Sequence, residues 1–136
     1  MDGVLFKKAK VVLHSGEESD WKIECDSFSR ADWDTLAMLV SRKLQFSAVV
    51  GIPTGGLPFA EACRQYADPF KDLPVLIVDD VLTTGASMEE FKARVKHPII
   101  GCVAFARGRC PSWIQPIFQL WQNEAIEAET GAGSGR

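Results

Sequence analysis

The sequence predicts an α/β domain: a mostly parallel sheet with flanking helices, and a small N-terminal hairpin set apart from it. Three observations carry that prediction. Short, continuously apolar runs at 47–52, 74–78 and 99–106 have the pattern of strands buried on both faces. The first two are each followed by a Gly-containing turn and then a stretch of helical periodicity, the alternation that builds a parallel sheet with helical crossovers. Near the N-terminus, apolar and polar residues alternate on either side of a polar turn, as in an antiparallel hairpin.

Taken in order, the hairpin is expected at 10–14 and 20–25, around Ser15-Gly16-Glu17-Glu18. A helix follows. Ser29 is placed to cap it with Asp32 three residues on, and Trp33, Leu36, Ala37, Val40 and Leu44 fall on one face. The strand at 47–52 leads through Pro53-Thr54-Gly55-Gly56 into a second helix at 57–66, then a polar loop at 67–73. Pro74-Val75-Leu76-Ile77-Val78 is the strongest strand signal and is expected to end in Asp79-Asp80, before the turn that starts at Thr83. After the turn 83–87, Ser87 is the expected cap of a third helix at 88–96, with Glu89 and Glu90 where the helix dipole favours them. A strand at 99–106 and an edge strand at 116–121 complete the sheet. One domain is expected over 1–128, with the hairpin region at about 1–28 and a Gly-rich, disordered tail at 129–136.

Composition narrows the function. The 136 residues include 15 Lys+Arg and 18 Asp+Glu, a formal charge of −3. That argues against a nucleic-acid surface, which needs a basic excess to displace phosphate counterions. No apolar run approaches the roughly 18 residues that span a bilayer, and Val4-Leu5-Phe6 is cut short by Lys7, Lys8 and Lys10, so a cytoplasmic protein without membrane contacts is expected. Cys25, Cys63, Cys102 and Cys110 are widely spaced, with no C-x-x-C; reduced thiols are expected, three of them filling the core.

The chemistry concentrates at Asp79-Asp80-Val81-Leu82-Thr83-Thr84-Gly85-Ala86-Ser87, between a buried strand and a helix N-terminus. Successive backbone N–H groups, Gly85 and the hydroxyls of Thr83, Thr84 and Ser87 suit a phosphate. The two carboxylates suit neutral hydroxyls or a Mg²⁺ ion beside it. A receiver domain also ends a strand in paired acids, but only 56 residues follow Asp80 and none of them is an Asp that could accept a phosphoryl group. Pro53-Thr54-Gly55-Gly56 reads equally as an ordinary strand-to-helix turn or as a second anion loop at the same sheet edge.

The thirteen residues 75–87, Val-Leu-Ile-Val-Asp-Asp-Val-Leu-Thr-Thr-Gly-Ala-Ser, resemble the 5-phosphoribosyl-1-pyrophosphate (PRPP) signature of type I phosphoribosyltransferases. Residues 51–56 sit where that family keeps its pyrophosphate loop. Leu13-His14-Ser15-Gly16, with Ser19, Trp21 and Asp26, is similar to the hood of the orotate phosphoribosyltransferases, pyrimidine enzymes in which a lysine occupies the place of His14. The resemblance implies that Asp79 and Asp80 act in catalysis, contact the ribose hydroxyls and order Mg²⁺, that Thr83, Thr84, Gly85, Ala86 and Ser87 cradle the 5-phosphate, and that Thr54, Gly55 and Gly56 meet the pyrophosphate. It places Arg107 at the base carboxylate, where a guanidinium fork would fit; a solvated strand-end charge is the other reading of Arg107, and Arg109 shares both. Trp21 either stacks on a base or is a half-buried hairpin aromatic. The implied reaction displaces pyrophosphate from the anomeric carbon of PRPP by a nitrogen of a planar, orotate-like base, in a homodimer.

The chain departs from the family between the second helix and the signature strand. Residues 67–73 replace the usual extra strands and mobile catalytic loop, and seven residues cannot form them. Lys71, Arg64 or the Lys7-Lys8-Lys10 cluster are the basic residues left to stand in. Two functions follow: a small phosphoribosyltransferase, or a non-catalytic module of the same fold that binds PRPP or a nucleotide.

Overall fold

The computed structural model describes residues 6–12, 18–23 and 25–120. Strands β1 (Phe6–Val12) and β2 (Glu18–Ile23) pair antiparallel, Phe6 opposite Ile23 and Val12 opposite Glu18, with a register irregularity between Lys8 and Val11. β1 thus begins before the expected 10–14, because the lysine-rich stretch itself pairs with β2. His14, expected in the first strand, and the turn residues Ser15 and Gly16 lie outside the described residues, as does the tail 129–136. The two strands form a sheet of their own.

Helix α1 (Arg30–Lys43) starts where its capping residues dictate. The Asp32 N–H donates to Ser29 Oγ (3.2 Å) and the Ser29 N–H to Asp32 Oδ2 (2.8 Å), so two otherwise orphaned donors are met. Its buried face is Trp33, Leu36, Ala37 and Val40, the stripe expected from the spacing. Each large side chain so buried contributes roughly 1.5–3 kcal/mol. Trp33 stacks on Phe59 of α2 (Leu57–Cys63), 5.3 Å between ring centroids, which joins the two helices. The helical stretch expected over 57–66 continues past Cys63 as a 3₁₀ turn, Arg64–Tyr66.

The main sheet has the order β3-β4-β5-β6 and is parallel throughout, with β3 at Ala48–Gly51, β4 at Val75–Leu82, β5 at Ile99–Ala106 and β6 at Ile114–Gln119. β6 starts two residues before the expected Pro116 because Ile114 is buried against β5 opposite Gly101. Pro116 is tolerated because β6 is an edge strand. On one face, Leu76, Val78, Cys102 and Ala104 pack with α1 and α2; on the other, Ile77 and Val103 pack with Met88 of α3 (Ala86–Arg94).

This arrangement has a topological consequence. β3, β4 and β5 are laid down in one direction, yet α2 and α3 cover opposite faces, so the two crossovers have opposite hands. One of them departs from the right-handed rule that twisted strands normally impose.

Cys25, Cys63 and Cys102 are buried, as three of the four cysteines were expected to be, and burial pushes the Cys63 thiol up to about 12. Among the described residues no helix is long and apolar enough to cross a membrane.

Candidate functional site

Strand lengths create the site. β3 stops at Gly51, opposite Val78, whereas β4 runs on to Leu82 because its other side stays paired with β5, Asp79 opposite Val103 and Leu82 opposite Ala106. Asp79 and Asp80, expected to end the strand, therefore lie inside it, with the strand running on to Leu82. Beyond β3 the main chain of β4 bonds to its own acids: the Asp80 N–H donates to Asp79 Oδ1 (2.8 Å) and the Val81 N–H to Asp80 Oδ1 (2.7 Å).

The loop leaving β3 passes this stretch of β4. Ile52 donates its N–H to Val78 O, Gly56 donates to Ile52 O, and a cis peptide joins Pro53 to Thr54. A Cβ on Gly56 would stand 2.8 Å from the carbonyl oxygens of both Ile52 and Val78. At Gly55 a Cβ would overlap the Asp80 carboxylate, 2.7 Å from its Cγ. Only a bare Cα lets the loop come this near. Gly55 and Asp80, 25 positions apart in the chain, are thus brought into contact, while Thr54 and Gly55 stay exposed.

The second loop opens differently. Gly85 is the cap of α3, with φ +85°, a left-handed conformation that costs an L side chain about 1–2 kcal/mol. The expected cap was Ser87; the helix starts earlier because Gly85 can make the turn and Thr84 Oγ1 accepts from the Ala86 N–H (3.3 Å). Ser87 and Met88 become the second and third helical residues, whose N–H groups have no carbonyl to meet inside the helix. Thr84, Ala86 and Ser87 are exposed, Thr83 is half-buried and Gly85 is buried. The exposed hydroxyls and first-turn amides form an anion cradle in the sense of a helix N-terminus.

Asp79 is half-buried, and its carboxyl is pushed up to about 8, first by loss of water and then by hydrogen bonding to, and repulsion from, Asp80. Burial and the neighbouring carboxylate thus both favour the protonated form of Asp79. Among the described residues no group of three or more His, Cys, Asp or Glu side chains could enclose a metal ion. Two carboxylates alone do not make a cage for a resident ion. They fit Mg²⁺ that arrives with phosphates and keeps its other positions for phosphate oxygens and water.

Arg107 follows β5 and donates its backbone N–H to Leu82 O (2.9 Å), so it stands beside the 83–87 loop. With 6% of its surface exposed, it is the buried charged side chain among the described residues, which removes the solvated reading; Arg109 is exposed. Sequence reasoning missed Gln119, whose side-chain amide donates to Gly108 O (2.8 Å) and Ala106 O (3.3 Å) and pins the turn that presents Arg107. A glutamine in an edge strand carries no signal for that task.

Two of the basic substitutes, Lys71 and Arg64, do not reach the site. Ser47 donates its N–H to Pro74 O and its hydroxyl to Leu73 O, which anchors residues 67–74 at the start of β3 and β4. From there to Asp80 the strand climbs about 20 Å at its usual rise per residue. Lys71 lies at that far end, 3.8 Å from Asp68. Arg64 is turned to Glu61 (2.9 Å) and Val49 O (3.5 Å), at the end of α2 remote from Gly56. The side chains of Lys7, Lys8 and Lys10 lie outside the described residues.

No protein-family model matches the sequence, and no curated protein matches it by sequence. The folded chain does match solved structures. Leishmania donovani UMP synthase superimposes with a TM-score of 0.71 at 17% identity over 97% of this chain, which spans 37% of that one. The orotate phosphoribosyltransferase of Aeropyrum pernix gives a TM-score of 0.64 at 20% identity, covering 94% of this chain and 93% of that one. That of Francisella tularensis gives 0.53 at 18% identity, covering 93% and 85%. With a parallel α/β sheet whose acidic strand end and two Gly loops share one edge, the chain has the fold of the orotate phosphoribosyltransferases and other type I phosphoribosyltransferases.

Proposed function

We propose that this protein binds Mg²⁺-PRPP at the β4 edge and transfers its ribose 5-phosphate to a nitrogen of a planar, orotate-like base, releasing pyrophosphate. One observation supports this more than any other: the approach of Gly55 to Asp80, which sets the acidic pair between two anion loops. The order of the parts, Gly loop, acidic pair, Gly loop, is that of a ligand with a phosphate at each end and a diol between them.

In this reading the exposed hydroxyls of Thr84 and Ser87, with Thr83 and the amides at Gly85 and Ala86 onward, hold the 5-phosphate. Thr54, Gly55 and Gly56 meet the pyrophosphate. The carboxyl groups of Asp79 and Asp80 match ribose hydroxyls, which can donate to their oxygens. Mg²⁺ bound with the substrate would neutralise the leaving pyrophosphate. Charge that develops on the ribose as the glycosidic bond breaks is met by the carboxylates. Arg107 faces the acceptor base, the chain works in the cytoplasm as a homodimer, and the β1–β2 hairpin covers the site.

A second reading, a module that binds PRPP or a nucleotide without turnover, draws on a specific feature. Residues 67–74, the only chain between α2 and β4 long enough to form a cover, sit at the opposite end of the sheet. Nothing in that segment can exclude water from the reacting carbon.

The test is Mg²⁺-dependent release of pyrophosphate from PRPP with orotate and a panel of other bases. Release that requires a base supports the transferase. Saturable PRPP binding in calorimetry with no release assigns the binding module. No binding of PRPP removes both.

A further inference from the structure

We propose that Trp113, through Glu89, is a positioning residue for the anion cradle at the start of α3; the proposal rests on the reading of that cradle as the 5-phosphate site. The cap of α3 is Gly85, which has no side chain to bond the first turn; the Thr84 hydroxyl meets only the Ala86 N–H, and the rest of the turn is held by what packs against it. From below it is held by Met88, which is 1% exposed. At its flank stands Trp113, in the connection between β5 and β6.

Trp113 is itself fixed at several points. Its carbonyl accepts from the Gly101 N–H (2.9 Å). Its ring lies so close on Gly101 that a Cβ there would stand 2.7 Å from Cζ3 and 2.9 Å from Cε3. The indole N–H then donates to Glu89 Oε1 at 2.8 Å, and Lys92 Nζ stands 4.9 Å from the ring centroid. Glu89 is the residue after Met88, in the turn whose amides face the anion. A rigid, sheet-mounted indole therefore grips α3 at its fourth residue, and holds the Glu89 carboxylate sideways instead of letting it turn toward a bound phosphate.

The sign of one substitution separates positioning from plain electrostatics. A carboxylate one turn from a bound phosphate repels it, so on charge alone Glu89→Ala should tighten binding. Positioning predicts the reverse. With the full chain and calorimetry, Glu89→Ala and Trp113→Phe are each expected to weaken ribose 5-phosphate binding about three- to tenfold, the worth of one hydrogen bond. Glu89→Gln, which keeps an oxygen acceptor and loses the charge, is expected to bind at least as tightly as the wild type. Inorganic pyrophosphate with Mg²⁺, read at the 54–56 loop, should bind all three variants as it binds the wild type. Tighter binding by Glu89→Ala, or losses of equal size for both ligands, would overturn the proposal. Because Glu89 is exposed, its variants keep the test open if Trp113→Phe fails to fold. Failure of wild-type protein to bind ribose 5-phosphate would instead strike the reading of the cradle itself.

Discussion

The two strand-to-helix crossovers look alike in sequence and are built on opposite principles. Each runs from a buried strand through Thr and Gly into a helix capped by glycine, Gly56 for α2 and Gly85 for α3. In the first, glycine is needed because there is no room: carbonyls of Ile52 and Val78 and the Asp80 carboxylate occupy the places where a Cβ would go. In the second, glycine is needed for its dihedral, and the nearest atom to a Cβ on Gly85 is Leu82 Cδ1 at 3.8 Å. The first loop can offer a ligand the Thr54 hydroxyl and main chain packed onto the sheet, and the second offers several hydroxyls and free amides on an open helix end. One loop is a wall and the other a cradle. That difference is what a ligand with two unlike phosphate ends would require.

The contrast can be broken most severely at Gly56. Gly56→Ala drives a methyl into two carbonyl oxygens, and a loss of about 3 kcal/mol or more in urea unfolding is expected, against about 1–2 kcal/mol for Gly85→Ala, where only the dihedral is strained. Equal losses would show that the first loop relaxes and that its tightness is not what separates the two.

The acidic pair lies between the loops, and its removal should touch function without touching the fold. Asp79→Asn with Asp80→Asn is expected to lower PRPP turnover or affinity at least ~100-fold, about the scale of losing two charged contacts to one ligand. Circular dichroism should be unchanged. Retained activity would remove both residues from the site.

Asp79 also gives the site a pH signature. Its carboxyl is raised from an ordinary 3.8 to about 8, so the folded chain keeps a proton that the unfolded chain has already released. Its contribution to stability is whole below the ordinary value and is lost as pH rises through the folded one. Asp79→Asn, neutral at every pH, should match the wild type near pH 4 and exceed it by ~1 kcal/mol or more above pH 8, read from urea midpoints. A variant that loses stability across the range would place Asp79 in a structural role.

The smallest effect is expected at the far end of the sheet. Lys71→Ala removes a charge that pairs with Asp68 in the open, so stability should move by no more than about 0.5 kcal/mol, and PRPP affinity not at all. A measurable loss of affinity would mean that residues 67–74 reach the site from where Ser47 anchors them.

How much of this was legible beforehand follows the range of the interactions involved. The capping box at Ser29 and Asp32, the buried stripe of α1, the apolar strands and the Thr-Thr-Gly loop are all read from residues within a few positions of one another, and the structure has them where the spacing puts them. Errors collect at boundaries that another segment sets. β4 outruns its apolar residues because β5 keeps pairing with it, and α3 starts early because Gly85 turns more readily than Ser87 caps.

What the sequence alone determined is therefore the set of elements and the residues that can carry phosphate chemistry, since local periodicity and backbone preference decide both. Tertiary structure decided the rest: that Gly55 closes on Asp80, that Arg107 is buried beside the 83–87 loop, that the two crossovers differ in hand, and that Trp113 grips Glu89. These depend on which strand ends beside which, and contacts between residues dozens of positions apart leave no periodic trace in the chain.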